Sequence, residues 1–171
     1  LSDEPVRLRI AWRGARGRGR SRALDWTGEL RIWNGAITHA ENYGIDNPRE
    51  GIQQWETSRV VWSSHTCGDW DGVIVEIDGD DDTHFDFRTP SLTFRFTLAE
   101  ALAGELRETG PLLEQQVVVR RLSHQRGASE VAFSWRDESP KPGVNPYWIW
   151  VTQADAELAW SSPVYLTYTG R

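Results

Sequence analysis

Alternation of apolar and polar residues with a period of two runs through most of the chain and restricts it to an all-β fold. Val6, Leu8, Ile10 and Trp12 alternate with Arg7, Arg9, Ala11 and Arg13. Trp26, Leu30 and Ile32 alternate with Asp25, Thr27, Glu29 and Arg31. Leu92, Phe94, Phe96 and Leu98 give the cleanest case, with Thr93, Arg95 and Thr97 on the other face. Val60 and Trp62, Val73 to Ile77, Phe85 and Phe87, Val117 to Leu122, Val131 to Trp135, Tyr147 to Val151 and Val164 to Tyr168 complete the set. About ten strands separated by Gly, Pro, Asn and Asp turns predict an antiparallel β-sandwich or barrel, the sandwich being preferred, with 1–171 as a single domain. One stretch changes period. Thr97-Leu-Ala-Glu100 fits a capping box, Leu98, Leu102 and Leu106 recur every fourth residue, and Gly110-Pro111 stops the run. A short helix is therefore predicted near residues 98–108.

Composition narrows the class further. No apolar run approaches the ~20 residues of a membrane helix, so no spanning segment is expected. The acidic start Leu1-Ser-Asp-Glu-Pro5 does not resemble a signal peptide, which favours the cytoplasm. A single cysteine excludes an intrachain disulfide, and the absence of methionine predicts that the chain is a piece of a longer protein. The net charge of −6 argues against a nucleic-acid partner. Seven arginines nevertheless lie between residues 7 and 22 with no acid among them, leaving 12 basic against 25 acidic residues elsewhere. The glycine-punctuated part of that run reads as a hairpin tip whose arginines are solvated or paired with acids, because no aromatics interleave for base stacking.

Few residues invite chemistry. Asp78, Asp80 and Asp82 occupy positions 1, 3 and 5 of a calcium-type loop, but Thr83 stands where glycine is needed and Thr89 where a bidentate Glu belongs. Ser63-Ser-His65-Thr-Cys67 places a base and a nucleophile two residues apart, about 7 Å on a strand, with no third group to orient the imidazole. A buried cysteine near a turn is expected instead. With no HxH, HExxH or phosphate loop, no catalytic residue, metal or cofactor is expected. The ten tryptophans divide by phase. Trp12, Trp26, Trp62 and Trp135 fall on core faces. Trp33, in phase with Glu29 and Arg31, and Trp148 and Trp150, opposed to Tyr147, Ile149 and Val151, fall on outer faces. These three are the candidate binding residues, for sugar rings or for another domain.

Two stretches resemble a known pattern. Gly68-Asp-Trp-Asp-Gly72 with its following strand is one. Asn145-Pro-Tyr-Trp-Ile-Trp-Val-Thr-Gln153, followed by Ala159-Trp-Ser-Ser-Pro163, is the other and the more specific. Together with Ile10-Ala-Trp-Arg-Gly14 and Trp26-Thr-Gly28 they are similar to the C-terminal β domain of bacterial PHP-like metallohydrolases of unknown substrate. The resemblance covers most of the chain. It implies an accessory β-sandwich whose partner is an upstream catalytic domain of the same polypeptide, with the metal ligands upstream of Leu1. It also implies structural roles for Trp70, in a turn folding back on the core, and for Trp160. Two residues depart from the pattern: Asp155-Ala156 replaces the Asp-Gly of a final hairpin, predicting a different turn, and Cys67 replaces a Thr. The expectation is a non-catalytic accessory domain; the alternative is a carbohydrate-binding module using Trp33, Trp148 and Trp150.

Overall fold

The alternating runs become strands throughout. The computed structural model describes residues 5–16, 22–123, 130–152 and 158–170. In chain order they form β1 Val6–Ala15, β2 Leu24–Asp25, β3 Gly28–Tyr43, β4 Gly51–Glu56, β5 Arg59–Ser63, β6 His65–Thr66, β7 Trp70–Arg88, β8 Thr93–Thr97, helix α1 Leu98–Ala103, β9 Leu106–Thr109, β10 Leu113–Leu122, β11 Gly143–Tyr147, β12 Trp150–Thr152, β13 Leu158–Trp160 and β14 Val164–Tyr168. The strand pairings among the described residues are antiparallel, and the fold is the sandwich-like all-β class that the alternation predicts. Among the described residues no helix is long and apolar enough to cross a membrane.

The chain divides into two compact units, Leu1–His124 and Gln125–Arg171. The first is built on one eight-stranded sheet ordered β4-β5-β3-β7-β1-β10-β9, with β8 also paired to β7. β5 and β1 are three strand spacings apart in that order, about 14 Å in a flat sheet. Yet Trp12 of β1 stacks on Trp62 of β5 with ring centroids 4.7 Å apart. The sheet therefore folds over on itself. β3 and β7 are long enough to run through the bend, so the first half of β7 pairs with β1 and its second half with β8. Leu8, Ile10, Trp12, Leu30, Val60, Trp62, Val75 and Phe87 fill the space between the two halves and are fully buried.

Each buried indole finds an acceptor. Trp12 Nε1 donates to Ser64 Oγ at 2.8 Å, Trp26 Nε1 to Thr66 Oγ1 at 3.0 Å, and Trp62 Nε1 to the Trp26 carbonyl at 2.6 Å. A tryptophan so deeply buried needs such a partner. Ser64 and Thr66 supply it because alternation turns them inward, leaving His65 and Cys67 outside.

Several expectations are corrected. The helix ends at Ala103, not near 108. Its capping box forms, with the Glu100 amide donating to Thr97 Oγ1 and the Thr97 amide to Glu100 Oε2, but Gly104 takes an extended conformation. Leu106 then pairs with Val119 in β9. Phe85 and Phe87 belong to β7 rather than to a separate short strand. Trp70 is the first residue of that strand, not part of a turn, and the Arg13 guanidinium lies 5.2 Å from its ring centroid. Cys67 is exposed. Trp135 is exposed, because Val131 to Trp135 form no strand and so have no sheet face to bury. Asp155-Ala156 lies outside the described residues.

Gly72 shows what the first signature does structurally. It sits in β7 between Ala11 of β1 and Tyr43 of β3. A Cβ there would stand 2.5 Å from the Ile10 carbonyl oxygen and 2.9 Å from Ala11 Cα. Those are backbone atoms that cannot yield cheaply. Gly72→Ala is expected to lower stability by about 1–3 kcal/mol, the cost of overpacking, read as a lower urea midpoint. An unchanged midpoint would show that β1 and β7 are not packed this closely.

Candidate functional site

The three candidate tryptophans are outside the core, as their phasing predicts, but they do not form one site. Trp33 belongs to Leu1–His124, and Trp148 and Trp150 belong to Gln125–Arg171.

In the second unit, β11 pairs with β14 and β12 with β13. Trp148 and Trp150 are 58% and 60% exposed and line an open groove of about 1090 Å³. Phe133, Trp135, Tyr147 and Tyr168 contribute to its walls, and Asp137, Asn145 and Ser161 supply polar edges. Trp160 lies across from Trp150 in the β12–β13 ribbon, ring centroids 5.8 Å apart and planes tilted by 33°. Trp135 meets Tyr147 at 5.9 Å and 59°. The polar groups act as fasteners. Tyr147 Oη donates to Asp137 Oδ2 at 2.8 Å. The Ser139 amide first, and then this hydroxyl, hold the Asp137 carboxyl below its ordinary range, while Tyr147 is pushed up by the same bond. Ser161 Oγ accepts the Ile149 amide at 2.9 Å, and the Ser161 amide returns to the Ile149 carbonyl at 3.0 Å. The Ser161 hydroxyl thus caps a backbone amide that the ribbon leaves unpaired. Ile149 and Val151, expected to point inward, are about half exposed, so the alternation does not separate an inner from an outer face here.

In the first unit Trp33 is 48% exposed and borders a cleft of about 440 Å³ with His84, Asp86, Arg88, Arg95 and Glu100. The β-bulge after Trp33, where Asn34 adopts φ 56°, breaks the ladder there. Asp86 is 3% exposed and binds two guanidiniums: Arg88 through Nε at 2.9 Å and Nη2 at 2.5 Å, and Arg95 through Nε at 3.2 Å. The Arg88 hydrogen bonds hold its carboxyl below the ordinary range against the opposing effect of burial. Glu29 repeats the arrangement with Arg31 at 2.8 Å and Arg59 at 2.6 Å. Burial raises its pKa, but the two arginines prevail and it too is lowered.

The remaining candidates separate. Asp80 to Thr83 form a four-residue excursion of β7 opposite Asn34. Thr83, the residue that spoils the calcium pattern, is its fully buried keystone: Oγ1 accepts the Asp80 amide at 3.0 Å and donates to the Asn34 carbonyl at 2.7 Å. Asp80 Oδ1 accepts the Asp82 amide at 3.0 Å. Asp78, Asp80 and Asp82 are not gathered as ligands, and among the described residues no group of three or more His, Cys, Asp or Glu is placed to hold a metal ion. His65 faces carboxylates rather than Cys67, with Nδ1 3.3 Å from Glu50 and Nε2 3.8 Å from Asp25. The Cys67 amide donates to Asp69 Oδ1 in the adjoining turn. In the arginine-rich segment Arg7 pairs with Glu41 and Arg13 with Glu114. The Arg16 amide donates to the Arg22 carbonyl, and residues 17–21, with the expected hairpin tip, lie outside the described residues.

Single residues hid the inner and outer rows at Ser64–Cys67 and the arginine pairs on Glu29 and Asp86. The first could have been found from three core tryptophans needing acceptors. The second depends on register between distant strands and has no local signal. Compared with protein families, curated proteins and solved structures, the chain matches none.

Proposed function

We propose that the chain is a non-catalytic accessory domain of a larger PHP-like metallohydrolase, and that residues 125–171 dock onto another domain of the same polypeptide. The observation that carries this reading is the aromatic groove in which Trp148 and Trp150 are more than half exposed. Several large aromatic side chains exposed together beside polar edges are the usual composition of an interaction site. Two-stranded ribbons are marginal in water by themselves, and these run to only three to five residues per strand. An apolar covering segment stabilises them by removing the indoles from water. The family resemblance agrees with this placement: Asn145, Tyr147, Trp148, Trp150, Ser161 and Ser162, all in the more specific signature, line the groove. A sugar platform is less well supported at this position, since the Trp150 and Trp160 rings are inclined to each other and offer no common plane.

The test compares hydrogen exchange in the intact parent protein and in this chain alone. Amides from Trp148 to Thr152 are expected to be protected in the parent and to exchange rapidly in the isolated chain. Equal exchange in the two would remove the docking reading.

A further inference from the structure

The outer face of the first unit's sheet carries an arrangement that the docking reading does not use. Strand register aligns three rows across it. Thr97 of β8, His84 of β7 and Trp33 of β3 form the first. Arg95, Asp86, Arg31 and Arg59 form the second, and Thr93, Arg88, Glu29 and Val61 the third. Four arginines thus share two carboxylates. Glu56 of β4, opposite Arg59, continues the second row, so the rows keep an excess of one positive charge, centred where Arg88 and Arg95 share the single carboxylate of Asp86. Asp86 is buried and anchors Arg88 and Arg95, so their guanidinium planes are held in place before any ligand arrives. Arg95 engages Asp86 through Nε and remains 76% exposed, leaving the outer edge of its fork toward solvent.

We propose that the cleft at Trp33 binds an acidic sugar, with a pyranose ring lying on the indole and its carboxylate held by Arg95 and Arg88. The cleft volume of about 440 Å³ suits one or two sugar rings, within the range of small-ligand sites. The exposed indole supplies the flat apolar surface that the C–H face of a sugar requires. Trp33 and Arg95 are two residues apart along the strands and two strands apart across the sheet, about 12 Å between backbones, and both side chains reach the one cleft between them. A guanidinium fork matches a carboxylate bidentately. His84 and Glu100 border the same cleft and offer partners for hydroxyls.

A nucleic acid is disfavoured by the neighbourhood. The Asp80–Asp82 excursion adjoins Trp33, with Asn34 Nδ2 3.4 Å from the Asp82 carbonyl, and Glu100 closes the other side. A strand carrying a phosphate at every residue would meet these carboxylates, whereas a short oligosaccharide with sparse charge can present its carboxylate to the arginines alone. The site lies wholly within Leu1–His124, so its fate is separate from that of the docking surface.

The experiment titrates the whole chain with trigalacturonic acid, maltotriose and oligothymidylate while following indole N–H resonances, with the Trp33 signal identified by its loss in Trp33→Phe. Trigalacturonic acid is expected to shift the Trp33 signal at millimolar concentration, with maltotriose at least about tenfold weaker, or about 1.4 kcal/mol. Trp33→Ala is expected to abolish binding, and Arg95→Ala to reduce it to the level of maltotriose and to remove much of its salt dependence. Trp33 is half exposed and Arg88 still holds Asp86 once Arg95 is removed, so both variants should stay folded, with only a modest drop in melting temperature for Arg95→Ala. Equal affinity for maltotriose, tighter binding of oligothymidylate, or no Trp33 shift with any probe would each overturn the proposal.

Discussion

Trp62→Ala is expected to destabilise the first unit by about 3–5 kcal/mol, the usual cost of truncating a fully buried large aromatic. Trp62 is the middle of a stack. Its ring lies 4.7 Å from Trp12 at an interplanar angle of 21° and 5.4 Å from Phe87 at 28°. It therefore joins the two halves of the folded-over sheet at the point where they are closest. Removing it leaves a cavity bounded by rings on rigid strands, which cannot collapse inward without breaking the β5–β3 ladder. It also leaves the buried Trp26 carbonyl without its indole donor. Because domains of this size are stable by only about 5–15 kcal/mol, a large part of the total is at stake. Urea unfolding followed by circular dichroism should show the loss. Trp62→Phe keeps one ring in the stack while forfeiting the hydrogen bond and leaving a smaller void, so it is expected to cost less, about 1–3 kcal/mol. Trp55→Ala, on the neighbouring strand but largely exposed, should change little. If Trp62→Ala stayed within about 1 kcal/mol of the parent, the stack would not be the structural centre described here.

The faces of the strands were legible in the sequence, but not their lengths or their neighbours. Alternation correctly assigned Leu8, Ile10, Trp12, Leu30, Val60 and Trp62 to the core, because burial on one face is a local constraint repeated every second residue. It failed where the ladder stops being regular. Asp80 to Thr83 interrupt the apolar rhythm, so Phe85 and Phe87 read as a separate piece, although the bulge simply passes the strand on to its second set of partners. Leu106 kept the helical period for one turn too many because a leucine at that spacing suits either a helix or a half-buried strand. Gly104 decides in favour of the strand. Trp135 was assigned inward by its phase with Val131 and Phe133, but phase has meaning only when a strand forms. Trp33, Trp148 and Trp150 were recognised as outward-facing. The groove beside two of them and the arginine rows beside the third come from pairings between residues distant in sequence, which no local pattern carries.

Asp71 makes the stability of the first unit depend on pH in an unusual direction. The residue follows Trp70 in the first signature and is 3% exposed. Burial pushes its pKa up from an ordinary 3.8 to about 6; the Ser64 hydroxyl, donating to Oδ2 at 2.5 Å, opposes that rise, and the charges of Asp69, Glu50 and Asp46 add to it. The folded state thus binds this proton more tightly than the unfolded state does. Its stabilising contribution is complete below the unfolded pKa and is lost as pH rises from about 4 through about 6. At pH 7 the ionised, buried carboxylate costs about 3 kcal/mol relative to acid conditions, at 1.36 kcal/mol per pKa unit. Glu29, Asp86 and Glu105, the last paired with Arg120 and Arg107, act in the opposite sense. Their lowered values add stability above the ordinary carboxylate range, and that stability is lost as pH falls below it. The two effects occupy different windows and can be resolved in one pH series. Asp71→Asn keeps an acceptor for the Ser64 hydroxyl and carries no charge. It is expected to abolish the decline between pH 4 and pH 6 and to be more stable than the parent at pH 7 by about 2 kcal/mol, part of the gain being offset by the new amide's unpaired N–H. Asp71→Leu removes the acceptor as well, so Ser64 and through it the Trp12 indole lose their anchor, and that variant should be less stable at every pH. Were Asp71→Asn to retain the parent's slope between pH 4 and pH 6, the titrating group would lie elsewhere, and the Trp12–Ser64–Asp71 chain would be only a hydrogen-bonded strut.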